Sequence, residues 1–139
     1  MKNEDAWIAS EREKIISYLV TEGVEHRGVG EWPAFHVCPY LAVWVVQSKR
    51  KPGAVGWWAI SGDTPTDYMS SAAAKHPREA LAYFGDEWEK LSMHMAQGVP
   101  SAESRIGKQE HWPTLAPLLK TRAEQLKHFA ADDELWSNR

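Results

Sequence analysis

The sequence contains one cysteine, Cys38, among its 139 residues. A single cysteine excludes an internal disulfide and is typical of proteins in a reducing compartment. Residues 1–10 are polar and charged, without the apolar stretch of a signal peptide. The longest apolar run, residues 41–46, is far shorter than the ~20 residues that cross a bilayer. We therefore expect a cytoplasmic protein that does not enter a membrane.

The sequence also lacks an excess of positive charge. Its formal net charge is −3, whereas nucleic-acid-binding domains carry clustered lysine and arginine on one face. The basic run Lys49-Arg50-Lys51 precedes Pro52-Gly53, and we interpret it as a solvated turn. At 139 residues the chain has the length of one domain, and two halves would each have a poor core. We expect a single domain over residues 1–139 and no nucleic-acid partner.

Tryptophan is abundant by contrast. One indole can bury ~150–250 Å², so a few suffice for a small core. The remaining tryptophans are expected at the surface, because this residue is enriched at binding hot spots. The sequence has eight of them: Trp7, Trp32, Trp44, Trp57, Trp58, Trp88, Trp112 and Trp136.

Apolar residues at intervals of three and four predict three helices. The first begins with Asn3 as its N-cap and ends at Gly23. The second has Pro77 in its first turn and ends before Gly98. The third spans residues 113–131, and the tail beyond it is expected to fray. The segment between the second and third helices reads as a polar loop.

The middle of the chain predicts strands. Residues 40–48 and 55–61 are rich in β-branched and aromatic residues, and the turn 49–54 joins them into a hairpin. Residues 35–37 suggest a short edge strand, and residues 66–74 favour a third strand over a short helix. Consecutive strands with short connections pair antiparallel. The expected fold class is α+β, a small antiparallel sheet of two to four strands with three long helices packed around it.

Candidate catalytic groups are sparse. His36 and Cys38 face the same way on an extended segment, but no third group that would orient such a pair is evident. The six histidines form no pair at metal-ligand spacing. Gly28-Val29-Gly30 lacks the lysine and helix start of a phosphate-binding loop. We expect no catalytic residue, no metal and no cofactor.

One pair of carboxylates remains open to two interpretations. Asp63 and Asp67 enclose Thr64-Pro65-Thr66. Two nearby carboxylates can act as general acid and base when their environments separate their pKa values. An aspartate at a turn more often hydrogen-bonds its own backbone, and we favour that structural interpretation.

Part of the chain resembles a bacterial family known as a domain of unknown function. The resemblance lies in Trp58-Ala59-Ile60-Ser61-Gly62-Asp63-Thr64-Pro65-Thr66-Asp67-Tyr68, followed by Pro77–Leu81 and Phe84–Trp88, with Pro39–Trp44 upstream. It covers residues 38–90 and contains the pattern W-x-I-S-G-D-x-P-T-D, while the segment from Val99 onward departs from it. This resemblance implies no activity that can be transferred.

Short, slightly acidic α+β proteins with surface aromatics and no catalytic residues are similar in type to immunity proteins of bacterial toxins. The leading hypothesis is therefore a non-enzymatic protein that occludes the active site of a cognate toxin. Aromatic anchors and carboxylates would form its interface. The candidate partner-binding residues are Trp32, Asp63, Asp67, Trp112 and Trp136.

Two alternatives remain. A small-molecule-binding protein or weak enzyme would have a pocket near Trp57, Trp58 and Asp63. A structural homodimer would bury its extra tryptophans against a second copy. Whether the chain is a monomer or a homodimer is left open by its sequence.

Overall fold

The computed structural model describes residues 2–98 and 109–137. The architecture is α+β, as predicted, with three long helices and a small antiparallel sheet. The chain divides into two compact units, Met1–Pro77 and Arg78–Arg139; the single domain expected from its length stays a prediction. The first unit contains α1 (Lys2–Thr21), β1 (Gly28–Val29), β2 (Phe35–Val37), β3 (Leu41–Gln47), β4 (Val55–Gly62), β5 (Asp67–Ser70) and a 3₁₀ turn (Ser71–Ala73).

Helix α1 ends where the sequence predicts. Gly23 has a φ of +71°, which glycine adopts without the steric cost that other residues pay. Its N–H donates to the carbonyl of Val20 at 3.1 Å, and the N–H of Val24 donates to that of Leu19 at 3.0 Å. The start differs from the prediction. The helix begins at Lys2, so Asn3 lies inside its first turn and is not the N-cap.

The sheet order is β1-β3-β4-β5, and β2 also pairs with β3. The predicted β3–β4 hairpin and the edge strand β2 are confirmed. Strand β1 was not predicted. It pairs with the opposite end of β3 from β2, so β1 and β2 together form one interrupted edge strand. The strand expected over residues 66–74 is shorter, because a 3₁₀ turn follows β5.

The core of the first unit lies between α1 and one face of the sheet. Ile8, Ile15 and Leu19 of α1 pack in a buried cluster with Trp44 and Ala59. The indole N–H of Trp44 donates to the hydroxyl of Ser61 at 3.1 Å, which satisfies a polar group that would be costly to bury alone. Residues on the other face of β3 and β4 are buried as well, which explains the poor alternation of their sequences.

The second unit contains α2 (Pro77–Gln97) from its second residue onward, α3 (Trp112–Ala131), α4 (Asp133–Trp136) and a 3₁₀ turn (Gln109–His111) before α3. The bounds of α2 and α3 match their predictions. Gly85 of α2 lies in close contact with α3. A Cβ there would lie 2.7 Å from Cγ of Lys127 and 3.3 Å from the carbonyl oxygen of Ala123. The predicted loop after Gly98 lies mostly outside the described residues.

The expected fraying after Ala131 is wrong for residues 132–137. Asp132 caps α4 by accepting a hydrogen bond from the N–H of Glu134 at 3.1 Å. The indole of Trp136 is buried, and its N–H donates to the carbonyl of Phe129 at 3.0 Å. Arg78 donates to Asp133 at 2.6 Å and has its guanidinium carbon 5.9 Å from the centroid of the Trp136 ring.

Hydropathy adds one finding. Within residues 2–98 and 109–137, no helix is at once long enough and apolar enough to cross a bilayer.

Candidate functional site

The most exposed tryptophan lies on a bulge in the edge of the sheet. Residues 30–34 leave the line of the edge between β1 and β2. The N–H of Gly30 donates to the carbonyl of Val45 at 3.0 Å, and that of Ala34 to the carbonyl of Val43 at 2.8 Å. Both ends of the bulge are therefore fixed to β3, while Trp32 at its middle is 55% exposed. Such bulges re-aim side chains at sheet edges.

Arg12 of α1 fixes the bulge from the helix side. Its Nε donates to the carbonyl of Gly30 at 3.0 Å, and its Nη2 donates to that of Val29 at 2.8 Å. Both bonds are partly buried, and hydrogen bonds from charged donors are about twice as strong as neutral ones. The guanidinium thereby holds the backbone that carries Trp32 against α1.

His36 of β2 contacts the Trp32 ring. The ring centroids are 5.8 Å apart and the planes are perpendicular, which is a favourable edge-to-face arrangement. On the α1 side, Nε2 of His36 lies 2.6 Å from Oε1 of Glu4, and the Trp7 ring centroid lies 6.5 Å from that of His36. Trp32 therefore packs against His36, and residues of α1 position the His36 ring.

Tyr40 lies in the turn between β2 and β3, and Asp63 follows the end of β4. Tyr40 is 46% exposed, and its carbonyl accepts a hydrogen bond from the N–H of Asp63 at 2.9 Å. Gly62 makes this approach possible. It has a φ of +128°, and a Cβ there would collide with the carbonyl of Tyr40 and lie 2.6 Å from Cα of Leu41. The glycine of the W-x-I-S-G-D pattern is therefore required by the backbone.

Glu31, beside Trp32, and Asp63, beside Tyr40, are both exposed carboxylates. We group Glu31, Trp32, His36, Tyr40 and Asp63, which lie on β2, in the turns before and after it, and beside the second turn, as the Trp32 surface. The Trp32 ring is restrained by its edge-to-face contact with His36, and the two carboxylates of the surface carry negative charge. This combination suits recognition of a basic protein surface.

The remaining predicted contacts lie elsewhere. Asp67 is 9% exposed, and its Oδ1 accepts a hydrogen bond from the N–H of Tyr68 at 2.8 Å. That bond agrees with the structural interpretation of the aspartate pair. Trp112 is 6% exposed and Trp136 is 7% exposed. These three side chains offer a partner very little surface, whereas Trp32 and Asp63 offer much more.

Most of the tryptophan content belongs to the interior. Five of the eight rings are buried, and Trp7 and Trp57 are partly exposed. The tryptophans beyond those of the core were expected at the surface. Of the eight, Trp32 has an exposed side chain. Its sequence signal was local, because Gly30 and Pro33 flank it within an edge-strand pattern. Arg12, Glu31, His36 and Tyr40 were not predicted as members of the site.

Neither the Cys38–His36 pair nor a Trp57–Trp58–Asp63 pocket is assembled. Cys38 is exposed, and the His36 ring pairs with Glu4. Trp57 and Trp58 point to opposite faces of β4. Asp63 follows the far end of that strand, on the order of 20 Å from Trp57 at the usual rise per residue. In the described part of the chain, no three His, Cys, Asp or Glu side chains converge as metal ligands.

Comparison with protein families gives a match over nearly the whole chain. The family described as a domain of unknown function (DUF4826) matches residues 2–136. The chain belongs to the DUF4826 family. The match includes the segment after Val99, so the expected departure of that segment from the family pattern is wrong. No curated protein and no solved structure matches this DUF4826 chain.

Proposed function

We propose that this DUF4826 protein is a non-enzymatic immunity protein that binds a cognate bacterial toxin and occludes its active site. The proposal depends on one observation: Trp32 is more than half exposed although the backbone around it is tightly held. Exposing an indole to water is unfavourable for the isolated protein. A rigid scaffold that nevertheless presents one is explained by a partner that covers it.

The rigidity of the bulge favours tight binding. Association costs ~0.5–1.5 kcal/mol for each flexible side chain that must become fixed. The hydrogen bonds of Gly30 and Ala34 and the contact with His36 restrict Trp32 before any partner arrives. A larger share of the gain from burying the indole then remains as binding free energy.

The flanking carboxylates define the expected partner surface. Glu31 and Asp63 would meet lysine or arginine at the rim of the interface, where charge pairs mainly accelerate association and exclude wrong partners. Toxins that cleave or modify nucleic acids have basic active-site clefts, and the Trp32 surface has the opposite charge. Asp67, Trp112 and Trp136 are not included in this interface because they are buried.

Co-expression tests the proposal. Cells that produce the toxin encoded beside this gene should survive when the protein is present, and the two should co-purify. Trp32→Ala should weaken the complex at least ~30-fold, because hot-spot tryptophans contribute ~2 kcal/mol or more. Leu118→Ala is the matched control, since Leu118 is 59% exposed in the other unit. Equal affinity of the two variants, or no rescue by the wild-type protein, would contradict the proposal.

A homodimer is the second candidate, favoured by the same exposed ring. In that case light scattering should give the mass of two chains for the wild-type protein and of one chain for Trp32→Ala. A monomeric wild-type protein would exclude it at the concentration tested.

A further inference from the structure

A second candidate site lies at the hairpin end of the sheet. A cleft of about 410 Å³ is bordered by the β3–β4 turn, the start of β4 and the end of β5. Its charged residues come from the turn and from the segment after α1: Lys49, Arg50, Lys51 and Glu25. We call it the basic cleft. All of its residues belong to the first unit, and none belongs to the Trp32 surface.

Positive charge predominates in the basic cleft. Nζ of Lys49 lies 3.8 Å from a carboxylate oxygen of Glu25, and both side chains are largely exposed, so this pair is weak. Within the residues that the structure describes, no carboxylate pairs with Arg50 or Lys51. Arg27 adds a further guanidinium, whose Nε donates to the carbonyl of Lys49 at 3.4 Å. Three cations thus line one small cleft of an acidic protein, and Arg27 contacts the backbone of the turn that carries them.

Hydroxyl groups and an indole complete the lining. The hydroxyl oxygens of Ser48 and Ser70 accept hydrogen bonds from the N–H groups of Lys51 and Ala72, each at 3.1 Å. A hydroxyl that accepts a hydrogen bond can still donate its own O–H, so both serines can also donate to a ligand. Trp57 lines the cleft with a partly exposed ring, and its N–H has no acceptor within the described chain.

We propose that the basic cleft binds a phosphate-bearing small molecule, with Trp57 against an aromatic ring of the ligand. Arginine and lysine provide the charge-assisted hydrogen bonds that phosphate oxygens accept. Hydroxyl donors add further bonds, and the part of the Trp57 ring that lines the cleft offers an aromatic surface of the kind that nucleobases stack on. A nucleotide fits this set of groups, and the site is independent of the proposed immunity function. A merely solvated turn accounts for the charges but not for the cleft beside them.

Calorimetric titration at low salt tests the site with two probes, inorganic triphosphate and ATP. Both should bind. Arg50→Glu should weaken both by about tenfold or more, the equivalent of ~1.4 kcal/mol. Lys90→Glu is the control, because it changes the charge equally at an exposed position of α2 in the other unit. Absence of binding by both probes, or equal weakening by the two variants, would overturn the proposal.

The role of Trp57 is tested separately. ATP should bind more tightly than inorganic triphosphate, and Trp57→Leu should remove that preference while triphosphate affinity stays unchanged. Equal affinity of the two probes for the wild-type protein would overturn the stacking contact and leave an inorganic phosphate site. Circular dichroism of each variant verifies folding, and Arg50→Glu lies on an exposed turn where the fold does not depend on the side chain.

Discussion

Nε of Arg12 donates a hydrogen bond to the carbonyl oxygen of Gly30 at 3.0 Å, which ties the middle of α1 to the start of the edge bulge. The two residues are far apart in sequence, and the bond lies where the chain leaves β1. Together with the bond to Val29 it gives a hydrogen-bond donor to two consecutive backbone carbonyls at the end of β1. The position of Trp32 thus depends on a side chain of a helix.

Replacing Arg12 should loosen the bulge. Arg12→Met retains much of the aliphatic contact but leaves two partly buried carbonyls without their donor, at a cost of ~1–3 kcal/mol. Urea unfolding should show this loss. Amide exchange at Gly30 and Ala34 should accelerate more than exchange in the β3–β4 ladder. Arg12→Lys keeps the charge but supplies one nitrogen, so its stability should lie between those of the wild type and Arg12→Met. An unchanged stability of Arg12→Met would refute the role of the guanidinium.

Gly62→Ala should destabilise the protein more than Gly53→Ala. Both glycines have positive φ, +128° at Gly62 and +82° at Gly53, so both substitutions strain the backbone. At Gly53 nothing lies within 4 Å of the added Cβ, whereas at Gly62 it collides with backbone atoms of Tyr40 and Leu41. We expect ~1–2 kcal/mol at Gly53 and ~3 kcal/mol or more at Gly62. Similar unfolding midpoints for the two variants would show that the backbone at Tyr40 can shift to accommodate the added methyl group.

Lys127 should contribute to stability in a pH-dependent manner. Its hydrogen bond with Glu89 raises its pKa above the usual 10.5, and the charges of Glu89 and Asp86 act in the same direction. Folding therefore favours the charged amine. The stabilisation is complete below the unfolded pKa of 10.5 and is lost as the pH rises through the higher folded pKa. The stability difference between wild type and Lys127→Met should be constant near neutral pH and shrink in alkali.

Glu89→Gln is the control for this titration. It removes the largest cause of the raised pKa, so the midpoint of the Lys127 titration, followed by NMR at Nζ, should shift to lower pH. A titration curve identical to that of wild type would mean that Glu89 does not hold the amine in solution.

Trp136 should anchor the C-terminal helix α4. Trp136→Ala removes a buried indole, which typically costs ~3–5 kcal/mol. Trp136→Phe keeps an aromatic ring in contact with Arg78 but loses the hydrogen bond to Phe129, at ~1 kcal/mol. Limited proteolysis should cut the alanine variant near residue 131 first. Resistance equal to wild type would indicate that the other contacts of α4 suffice.

The sequence was most informative where one local pattern determined the structure. Periodic apolar residues located α2 and α3, and Gly23 marked the end of α1 through its backbone freedom alone. The β3–β4 hairpin followed from β-branched residues around Pro52-Gly53. Strand β1 and helix α4 could not be found this way. Each is too short to carry a pattern, and contacts distant in sequence, with β3 and with Arg78, stabilise them.

The candidate site was predicted only in part for the same reason. Trp32 and Asp63 were identified by residue type, but so were Trp112 and Trp136, which are buried. Composition counts indoles without locating them. What distinguishes Trp32 is the bulge, whose geometry depends on Arg12 and on pairing with both ends of β3.

The interruption at residues 30–34 also limits how another molecule can approach this side of the sheet. Strands β1 and β2 are two and three residues long, and the bulge separates them. An incoming extended peptide would find no continuous row of amides and carbonyls with which to pair. Association here must therefore proceed through side chains, and copies of the protein are kept from polymerising edge to edge through this strand.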